Sequence, residues 1–274
     1  MVRYAECLPP FPVAHRGGAG LAPENTRAAF DRSYALGVRF LETDVRTTSD
    51  GVCVAFHDAR LQRVTGRPGR LADHSWSSVQ RLRVAGEPVP RLEELFETFP
   101  DAFFVLDLKE PRSLPSLVAA VTGCRATDRI CLTGTGDRVL AAFRTRLGPA
   151  VATALGWESL AGLARSACVG TRPRPPCDAQ FAHMPARLAG SALLGRRVIE
   201  RAHGLGLHVL AWTVNDPDVM HRLLDDGVDG LITDRPDLLR EVLVARDAWR
   251  SVPAGRSPTG AAPAQDVAML RRTP

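Results

Sequence analysis

Apolar runs of four to six residues recur along the chain and predict eight β-strands, because short apolar runs bounded by turn residues are typical of buried strands. The predicted strands are Pro12–His15, Phe40–Asp44, Phe103–Asp107, Arg129–Thr133, Val151–Leu155, Asp178–His183, His208–Thr213 and Gly230–Thr233. Intervening segments carry apolar residues at helical spacing and predict helices over Asn25–Leu36, Arg91–Phe99, Arg138–Leu147, Leu160–Ala167, Ala192–Leu205, Asp218–Asp226 and Asp237–Trp249. Repeated strand–helix alternation predicts an α/β fold, specifically a parallel TIM (β/α)8 barrel.

Two segments depart from this alternation. Residues 51–90 separate the second strand from its helix, open with a short β-type run and continue through turn-rich sequence. We therefore expect a small cap inserted after the second strand, over the barrel mouth. Residues 251–274 are rich in Pro, Gly, Ala and Arg without periodicity, and predict a disordered tail after a barrel domain of residues 1–250.

Composition narrows the function classes. The formal net charge is +5, and the basic residues form no consecutive block interleaved with aromatics, so nucleic acid is not the expected partner. The six cysteines form no C-x-x-C pair, which argues against a structural zinc site. An export signal and an apolar run of about 18 residues are both missing, so we expect a cytoplasmic protein without a membrane span. The modest positive charge suits an anionic substrate and leaves peripheral membrane contact open.

Carboxylates stand where two neighbouring predicted strands end. Glu42 and Asp44 are two residues apart and therefore share a face, and Asp107 ends the next strand. In a TIM barrel, chemistry lies at these carboxyl ends. Three carboxylates without a nearby Cys favour one hard divalent cation, Mg²⁺ or Ca²⁺. The alternative is that they form surface salt bridges with basic neighbours (Arg39, Arg46 and Lys109).

Two histidines and two basic residues stand at the same predicted edge. His15 ends the first strand and His57 ends the β-type run of the insertion. Because histidine titrates near neutral pH, the pair suits general acid and base catalysis, although either alone is more often a hydrogen-bonded core residue. Arg16 and Lys109 are candidates for binding phosphate oxygens.

Two further residues have alternative interpretations. Trp212 lies on a predicted strand and either walls a substrate pocket or fills the barrel core. His183 ends a predicted strand and could extend to the mouth.

Several segments resemble motifs of the glycerophosphodiester phosphodiesterase family, in its bacterial, cytoplasmic type, and they follow one another in the same order along the chain. The resemblance covers Val13 to Leu243 and is carried by His15-Arg16-Gly17 with Pro23–Thr26, Glu42–Thr47, Phe56–Asp58 with Leu61 and Arg63–Gly66, Trp212–Asn215, Gly227–Gly230 and Thr233–Pro236. It implies a TIM barrel with an inserted cap and a phosphodiesterase activity.

The resemblance also implies a ligand set for one divalent cation, Mg²⁺ or Ca²⁺. Glu42 and Asp44 match the family's metal ligands. The third ligand is typically a glutamate in a Glu-x-Lys pattern, and here the pattern is Asp107-x-Lys109. Aspartate is one methylene shorter, so we expect a water molecule to complete the coordination. Glu24 is interpreted as a brace of its loop and is left out of the ligand set.

The implied reaction is hydrolysis of a small glycerophosphodiester to glycerol 3-phosphate and an alcohol. His15 and His57 match the family's general acid and base, and Arg16 and Lys109 match its phosphate-contacting positions. Direct attack by water and a route through a cyclic phosphate both stay open, as does the identity of the alcohol.

Two alternatives keep the barrel. One is a lysophospholipase D or sphingomyelinase D-like enzyme, which needs an apolar entry for lipid near the mouth. The other is an inactive barrel that binds phosphodiesters, whose support is the change from Glu to Asp at position 107.

Overall fold

The strands and helices follow one another in strict alternation along most of the chain. A computed structural model describes residues 3–169, 178–188, 191–192 and 195–250. Its strands are β1 (Phe11–Ala14), β2 (Phe40–Thr47), β3 (Cys53–Ala55), β4 (Arg83–Val84), β5 (Glu87–Pro88), β6 (Phe103–Leu108), β7 (Ile130–Thr133), β8 (Ala152–Thr153), β9 (Phe181–Pro185), β10 (Arg187–Leu188), β11 (Ser191–Ala192), β12 (His208–Trp212) and β13 (Gly230–Thr233). Its α-helices are α1 (Arg27–Ala35), α2 (Gln62–Thr65), α3 (Trp76–Val79), α4 (Leu92–Thr98), α5 (Leu114–Gly123), α6 (Asp137–Leu147), α7 (Trp157–Val169), α8 (Arg196–His203), α9 (Pro217–Asp225) and α10 (Pro236–Ala245).

Parallel pairing carries the chain around a barrel. The strands pair in the order β8, β7, β6, β2, β1, β13, β12 and β9. A parallel bridge between Ala154 and Phe181 and a hydrogen bond from the Leu155 backbone N–H to the Phe181 carbonyl, 2.8 Å long, join the two ends. The predicted TIM barrel is therefore confirmed. Since all eight strands run the same way, their carboxyl ends meet at one mouth.

Aromatic side chains fill the barrel interior near the amino ends of the strands. Phe40 stacks on Phe103 at a ring distance of 5.2 Å, and Tyr4 from the N-terminal segment closes this end with edge-on contacts to both rings and to Phe181. Side chains alternate along a strand, so the next inward-facing residue after Phe40 is Glu42. The interior thus changes from apolar at the bottom to acidic at the mouth.

The helices pack their apolar faces on the outside of the barrel. The seven predicted helices are all present, with bounds that differ by four residues at most. The largest differences are that α8 begins at Arg196, because Ser191–Ala192 forms a short strand, and that α10 ends at Ala245. Sequence periodicity missed α5, since Leu114–Gly123 is apolar on nearly every side and has no amphipathic pattern.

The insertion after β2 has a small core of its own. Strand β3 pairs antiparallel with β2, with Val45 opposite Ala55. The buried apolar side chains that follow pack on one another: Val54, Phe56, Leu61, Leu71, Val79, Val84 and Val89. This packing holds the His57-Asp58 turn against the end of β2.

Several sequence-based expectations concern the periphery of the fold. Among the described residues, no helix is both long and apolar enough to cross a bilayer. Cys53 and Cys131 are buried thiols, and Cys7 and Cys124 are partly exposed thiols. Cys177, the side chain of Cys168 and the predicted tail of residues 251–274 lie outside the described part of the chain.

Arg129 joins two parts of the outer layer from a buried position. Its guanidinium donates hydrogen bonds to the carbonyls of Phe96, Phe99 and Ala102, at 3.3, 3.0 and 2.9 Å. The Phe96 carbonyl lies in the last turn of α4, where no backbone donor of the same helix is available, and Phe99 directly follows the helix. Arg129 therefore fixes α4 to the start of β7.

We expect Arg129→Met to lower the free energy of unfolding by about 2–4 kcal/mol, because it removes the guanidinium donor from three buried carbonyls, of which Phe99 keeps the Ala102 backbone N–H. Arg146→Met is the matched control, since Arg146 is exposed and donates to the Ala142 carbonyl of its own helix. The control should change stability by about 0.5 kcal/mol or less. Urea denaturation measures both variants, and equal losses would contradict this role of Arg129.

Candidate active site

Strand register brings three carboxylates into one space at the barrel mouth. Asp44 on β2 lies directly opposite Asp107 on β6, and Glu42 shares the face of Asp44. One carboxylate oxygen from each residue lies within 4.8 Å of the others. Glu42 and Asp44 are buried, at 4% and 1% exposure, and Asp107 is partly buried. We refer to these three residues as the carboxylate cluster.

Two basic side chains offset part of the negative charge. Lys109 places Nζ 2.8 Å from Asp44 Oδ1 and 2.7 Å from Asp107 Oδ2, and Arg16 places Nε 3.3 Å from Asp44 Oδ2. Burial would raise the pKa of Asp44, but the charges of Lys109 and Arg16 outweigh it and lower that pKa. Burial would likewise lower the pKa of Lys109, and Asp107 and Asp44 raise it. Asp44 is thus held in its ionised form.

Glu42 lies deeper and has no lysine or arginine side chain within ion-pair distance among the described residues; its basic neighbour is His15, whose Nε2 lies 4.0 Å from Oε2. Its Oε2 accepts a 2.7 Å hydrogen bond from the Arg16 backbone N–H. Burial, reinforced by the Asp44 charge, raises the pKa of Glu42 to about 8. A cation bound between the three carboxylates would remove this penalty.

Gly134, at the end of β7, leaves room for the third carboxylate. Its φ is +78°, and a Cβ built there would lie 1.7 Å from Asp107 Oδ1. That oxygen is buried and has no hydrogen-bond partner within the described chain. An unpaired buried oxygen costs free energy unless something binds it. Together with an all-oxygen donor set, it fits a hard divalent cation such as Mg²⁺ or Ca²⁺.

Surface salt bridges do not account for the cluster. Of the three basic residues considered for that alternative, Lys109 pairs with the cluster. Arg39 pairs with Asp101 and Arg46 with Glu110, away from it.

Asn25 supports Asp44 from the loop before α1. It adopts a left-handed φ of 55°, donates from Nδ2 to Asp44 Oδ2 at 2.7 Å and accepts from Thr43 Oγ1 at 2.9 Å. Thr26, rather than Asn25, caps α1 by accepting from the Ala29 backbone N–H. The Asn25 amide thus turns to the site.

His15 is oriented by a carboxylate from the last strand. Its Nδ1 lies 2.6 Å from Asp234 Oδ1, and Asn215 donates to the other Asp234 oxygen at 2.7 Å. This leaves Nε2 facing the cluster, 4.0 Å from Glu42 Oε2. Burial disfavours the charged ring, yet the Glu42 charge and the Asp234 hydrogen bond outweigh burial and raise the pKa of His15.

His57 is oriented in the same way by a carboxylate of its own loop. Its Nδ1 lies 2.6 Å from Asp58 Oδ1, and Arg63 Nε donates to Asp58 Oδ2 at 2.5 Å. The Arg63 hydrogen bond is the main cause that lowers the pKa of Asp58 to about 2. Arg63 also binds Glu24, which in turn accepts from Arg16, so Glu24 braces the loop as expected and lies outside the cluster.

Trp212 and His183 occupy different depths of the barrel. Trp212 is partly exposed and packs against the apolar interior, so its side chain serves both as core and as part of the mouth. His183 is 3% exposed, and neither ring nitrogen has a hydrogen-bond partner in the described part of the chain. Burial lowers the pKa of His183 to about 3, so its ring is neutral.

Thus the structure brings six of the predicted site residues within ion-pair or ligand distance of one another at one mouth: His15, Arg16, Glu42, Asp44, Asp107 and Lys109. His57 follows Phe56, whose backbone N–H donates to the Asp44 carbonyl, and Trp212 ends β12. Sequence reasoning left out Asp234, Asn215 and Asp58, which hold the histidines. Asp234 ends a predicted strand, as Asp107 does, and that position was the available signal. Gly134 carried no comparable signal.

Comparisons with known proteins show what the whole chain is similar to. The sequence model of the glycerophosphoryl diester phosphodiesterase family matches residues 15–238. A Mycobacterium tuberculosis protein named probable glycerophosphodiester phosphodiesterase 2 is 36% identical over 242 residues, which cover 86% of this chain and 92% of that protein. The glycerophosphodiester phosphodiesterase of Caldanaerobacter subterraneus subsp. tengcongensis is 27% identical over 248 residues, covering 83% of this chain and 95% of that protein. In fold, the chain resembles an Oleispira antarctica phosphodiesterase solved in complex with the product sn-glycerol-3-phosphate, with a TM-score of 0.71, 22% identity and coverage of 86% and 97%.

We expect Gly134→Ala to displace the Asp107 carboxylate and to weaken divalent-cation binding by about tenfold or more, since one ligand of three moves. Gly148→Ala is the matched control, because Gly148 also has a positive φ, of 88°, but nothing lies within 4 Å of its added Cβ. Both variants should lose about 1–3 kcal/mol of stability from backbone strain. Calorimetric titration with Mn²⁺ compares them, and equal affinities would contradict the close approach of Gly134 to Asp107.

The raised pKa of Glu42 predicts a pH-dependent stability of the metal-free protein. Between the ordinary value of 4.5 and about 8, the folded state binds a proton that the unfolded state has lost. The contribution is therefore full below pH 4.5 and disappears as the pH rises through 8. Glu42→Gln should remove a fall on the order of 1–3 kcal/mol in the free energy of unfolding between pH 5 and 9.

Urea denaturation in EDTA at several pH values measures this effect, with the exposed Glu97→Gln as control. Added Ca²⁺ or Mg²⁺ should restore the stability of the wild type at high pH. Parallel pH profiles for wild type and Glu42→Gln would show that Glu42 carries no such penalty.

Proposed function

The chain belongs to the glycerophosphoryl diester phosphodiesterase family, and we propose that it hydrolyses small glycerophosphodiesters to glycerol 3-phosphate and an alcohol with the help of one divalent cation. One observation carries the proposal: a carboxylate-bound histidine, His15, lies 4.0 Å from the carboxylate cluster, and the segment that carries a second one, His57, is hydrogen-bonded to the Asp44 carbonyl through the Phe56 backbone N–H. The cluster suits a cation, the histidines suit proton transfer, and a phosphodiester bond requires both kinds of assistance.

Glu42, Asp44 and Asp107 would hold the cation, Mg²⁺ or Ca²⁺. When bound, such a cation polarises a phosphoryl oxygen and neutralises part of its charge. The unpaired Asp107 Oδ1 and the space at Gly134 support this assignment. The side chain of Asp107 is one methylene shorter than the glutamate that the resemblance implies at this position, so a water molecule would complete the coordination of the cation.

His15 and His57 would move the protons of the reaction. In each ring Nδ1 faces a carboxylate, so Nε2 is the nitrogen left to exchange a proton with the substrate. One histidine removes the proton of the attacking nucleophile, a water or a glycerol hydroxyl, and the other protonates the leaving alkoxide. Asp234 and Asp58 keep the rings oriented and stabilise them when they are protonated.

Arg16 and Lys109 would bind the phosphate group beside the cluster. Each is already within ion-pair distance of Asp44, so each is fixed before substrate arrives. Preorganised cations of this kind stabilise negative charge that develops on the phosphoryl oxygens. Trp212 would form an apolar wall of the pocket next to them.

A lipid substrate is less well supported. The apolar residues of the insertion that could have formed a lipid entry (Trp76, Leu82 and Val84) pack against the insertion's own core. The inactive-barrel alternative has equally little support, because the acidic and histidine side chains are present and mutually oriented.

We expect metal-stripped protein to release glycerol 3-phosphate from glycerophosphocholine only after Mg²⁺, Ca²⁺ or Mn²⁺ is added. His15→Ala and His57→Ala should each lower kcat by about 10²- to 10⁴-fold, because each removes a proton-transfer group. His203→Ala is the matched control: His203 forms a similar pair with Asp229, 2.8 Å long, beside the amino end of β13 and therefore away from the mouth.

A coupled enzymatic assay for glycerol 3-phosphate follows the reaction, and phosphorus NMR detects any cyclic phosphate. Equal losses in all three histidine variants would contradict the catalytic assignment. Cleavage of a lysophospholipid without cleavage of glycerophosphocholine would replace the proposed substrate class.

A further inference from the structure

Trp157 lies at the rim of the site and was not among the site residues predicted from the sequence. It is the first residue of α7, and its side chain is 50% exposed. Its indole Nε1 donates a 3.3 Å hydrogen bond to the carbonyl of Gly134. Gly134 is the residue that packs directly on the Asp107 carboxylate. Gly134 is therefore the residue that lies between the exposed ring and Asp107 of the carboxylate cluster.

The loop beneath this ring is held firmly. Asp137 accepts hydrogen bonds from the Gly156 backbone N–H at 2.8 Å and from the backbone N–H and hydroxyl of Ser159 at 3.0 and 2.8 Å. These bonds join the loop after β7 to the start of α7. Trp157 is thus presented to solvent from a fixed backbone, which limits the entropy lost when a ligand binds it.

A carboxylate accompanies the ring. Glu158 Oε2 accepts a 2.9 Å hydrogen bond from the Asp137 backbone N–H, and this bond lowers the pKa of Glu158. Both side chains turn back to the same loop, the indole to Gly134 and the carboxylate to Asp137. The rim therefore combines an aromatic ring with an ionised acid.

The ring of Trp157 carries no basic side chain of the described chain. Arginine guanidinium groups lie over the rings of Trp76 and Trp249, at 5.7 and 5.6 Å from their centroids, whereas no such pair involves Trp157. An exposed indole beside an anion attracts an organic cation, because the ring face is electron-rich. Quaternary ammonium groups suit such a surface, since they are weakly hydrated and apolar at their edges.

We propose that Trp157 and Glu158 bind the alcohol portion of the substrate and select alcohols that carry an alkylammonium group, such as choline. The inference rests on the proposed phosphodiesterase function. The buried part of the mouth, beside Trp212, is left for the glycerol portion, which is common to all substrates of this class. The rim then takes the portion that differs between substrates.

Kinetics with three substrates that release the same glycerol 3-phosphate test this selection. They are glycerophosphocholine, its uncharged isostere glycerophospho-3,3-dimethylbutanol, and glycerophosphoglycerol. We expect Trp157→Leu to lower kcat/KM for glycerophosphocholine about fivefold or more and to leave glycerophosphoglycerol within about twofold. Trp157→Phe should retain most of the preference, and Glu158→Gln should reduce it for glycerophosphocholine but not for the isostere.

The outcomes separate the two proposals. If the wild type releases glycerol 3-phosphate but Trp157→Leu and Glu158→Gln leave the ratio of kcat/KM values unchanged, the selection is overturned and the function stands. Equal losses on all three substrates also overturn it. If the wild type cleaves none of them with any cation, the function fails and the selection with it. Should Trp157→Leu unfold, Trp157→Phe and Glu158→Gln alone decide.

Discussion

Mutual repulsion of three carboxylates in one partly buried space is the constraint around which the barrel mouth is arranged. Strand register places the three carboxylates close together, because Asp44 lies opposite Asp107 across β2 and β6, and Glu42 shares their face. Lys109 bridges two of the three groups, which leaves Glu42 with a raised pKa. The arrangement is costly for a protein alone and inexpensive around a cation.

The remaining site residues are held by the same edge of the barrel. His15 directly follows β1 and is oriented by Asp234, which directly follows β13; these two strands are neighbours in the barrel. His57 comes from the insertion, whose separate core fixes the turn that carries it. Each of the two histidines thus has its own carboxylate partner, and the two come from different segments of the chain. The strand pairing and the histidine–carboxylate hydrogen bonds together fix the backbone and the side chains at the mouth.

The sequence predicted the elements that depend on local pattern. Glu42 and Asp44 could be assigned to one face because side chains alternate along a strand, and parallel strands end at a common edge. Asp234 obeyed the same rule, but its partner His15 lies 219 residues away and pairing at that separation has no local pattern. Gly134 and Trp157 act through contacts between loops, which depend on backbone positions that only the folded chain defines. Helix α5 was missed because uniform apolarity removes the periodic signal.

Anomalous diffraction from crystals soaked in Mn²⁺ tests the central claim most directly, since it locates the cation without relying on activity. The account predicts one dominant peak within about 2.6 Å of oxygens from Glu42, Asp44 and Asp107. Its loss in Asp44→Asn crystals soaked in the same way would confirm the ligand set. Absence of a peak there in the wild type, with peaks at other acidic groups, would contradict the claim that the mouth is built around one divalent cation.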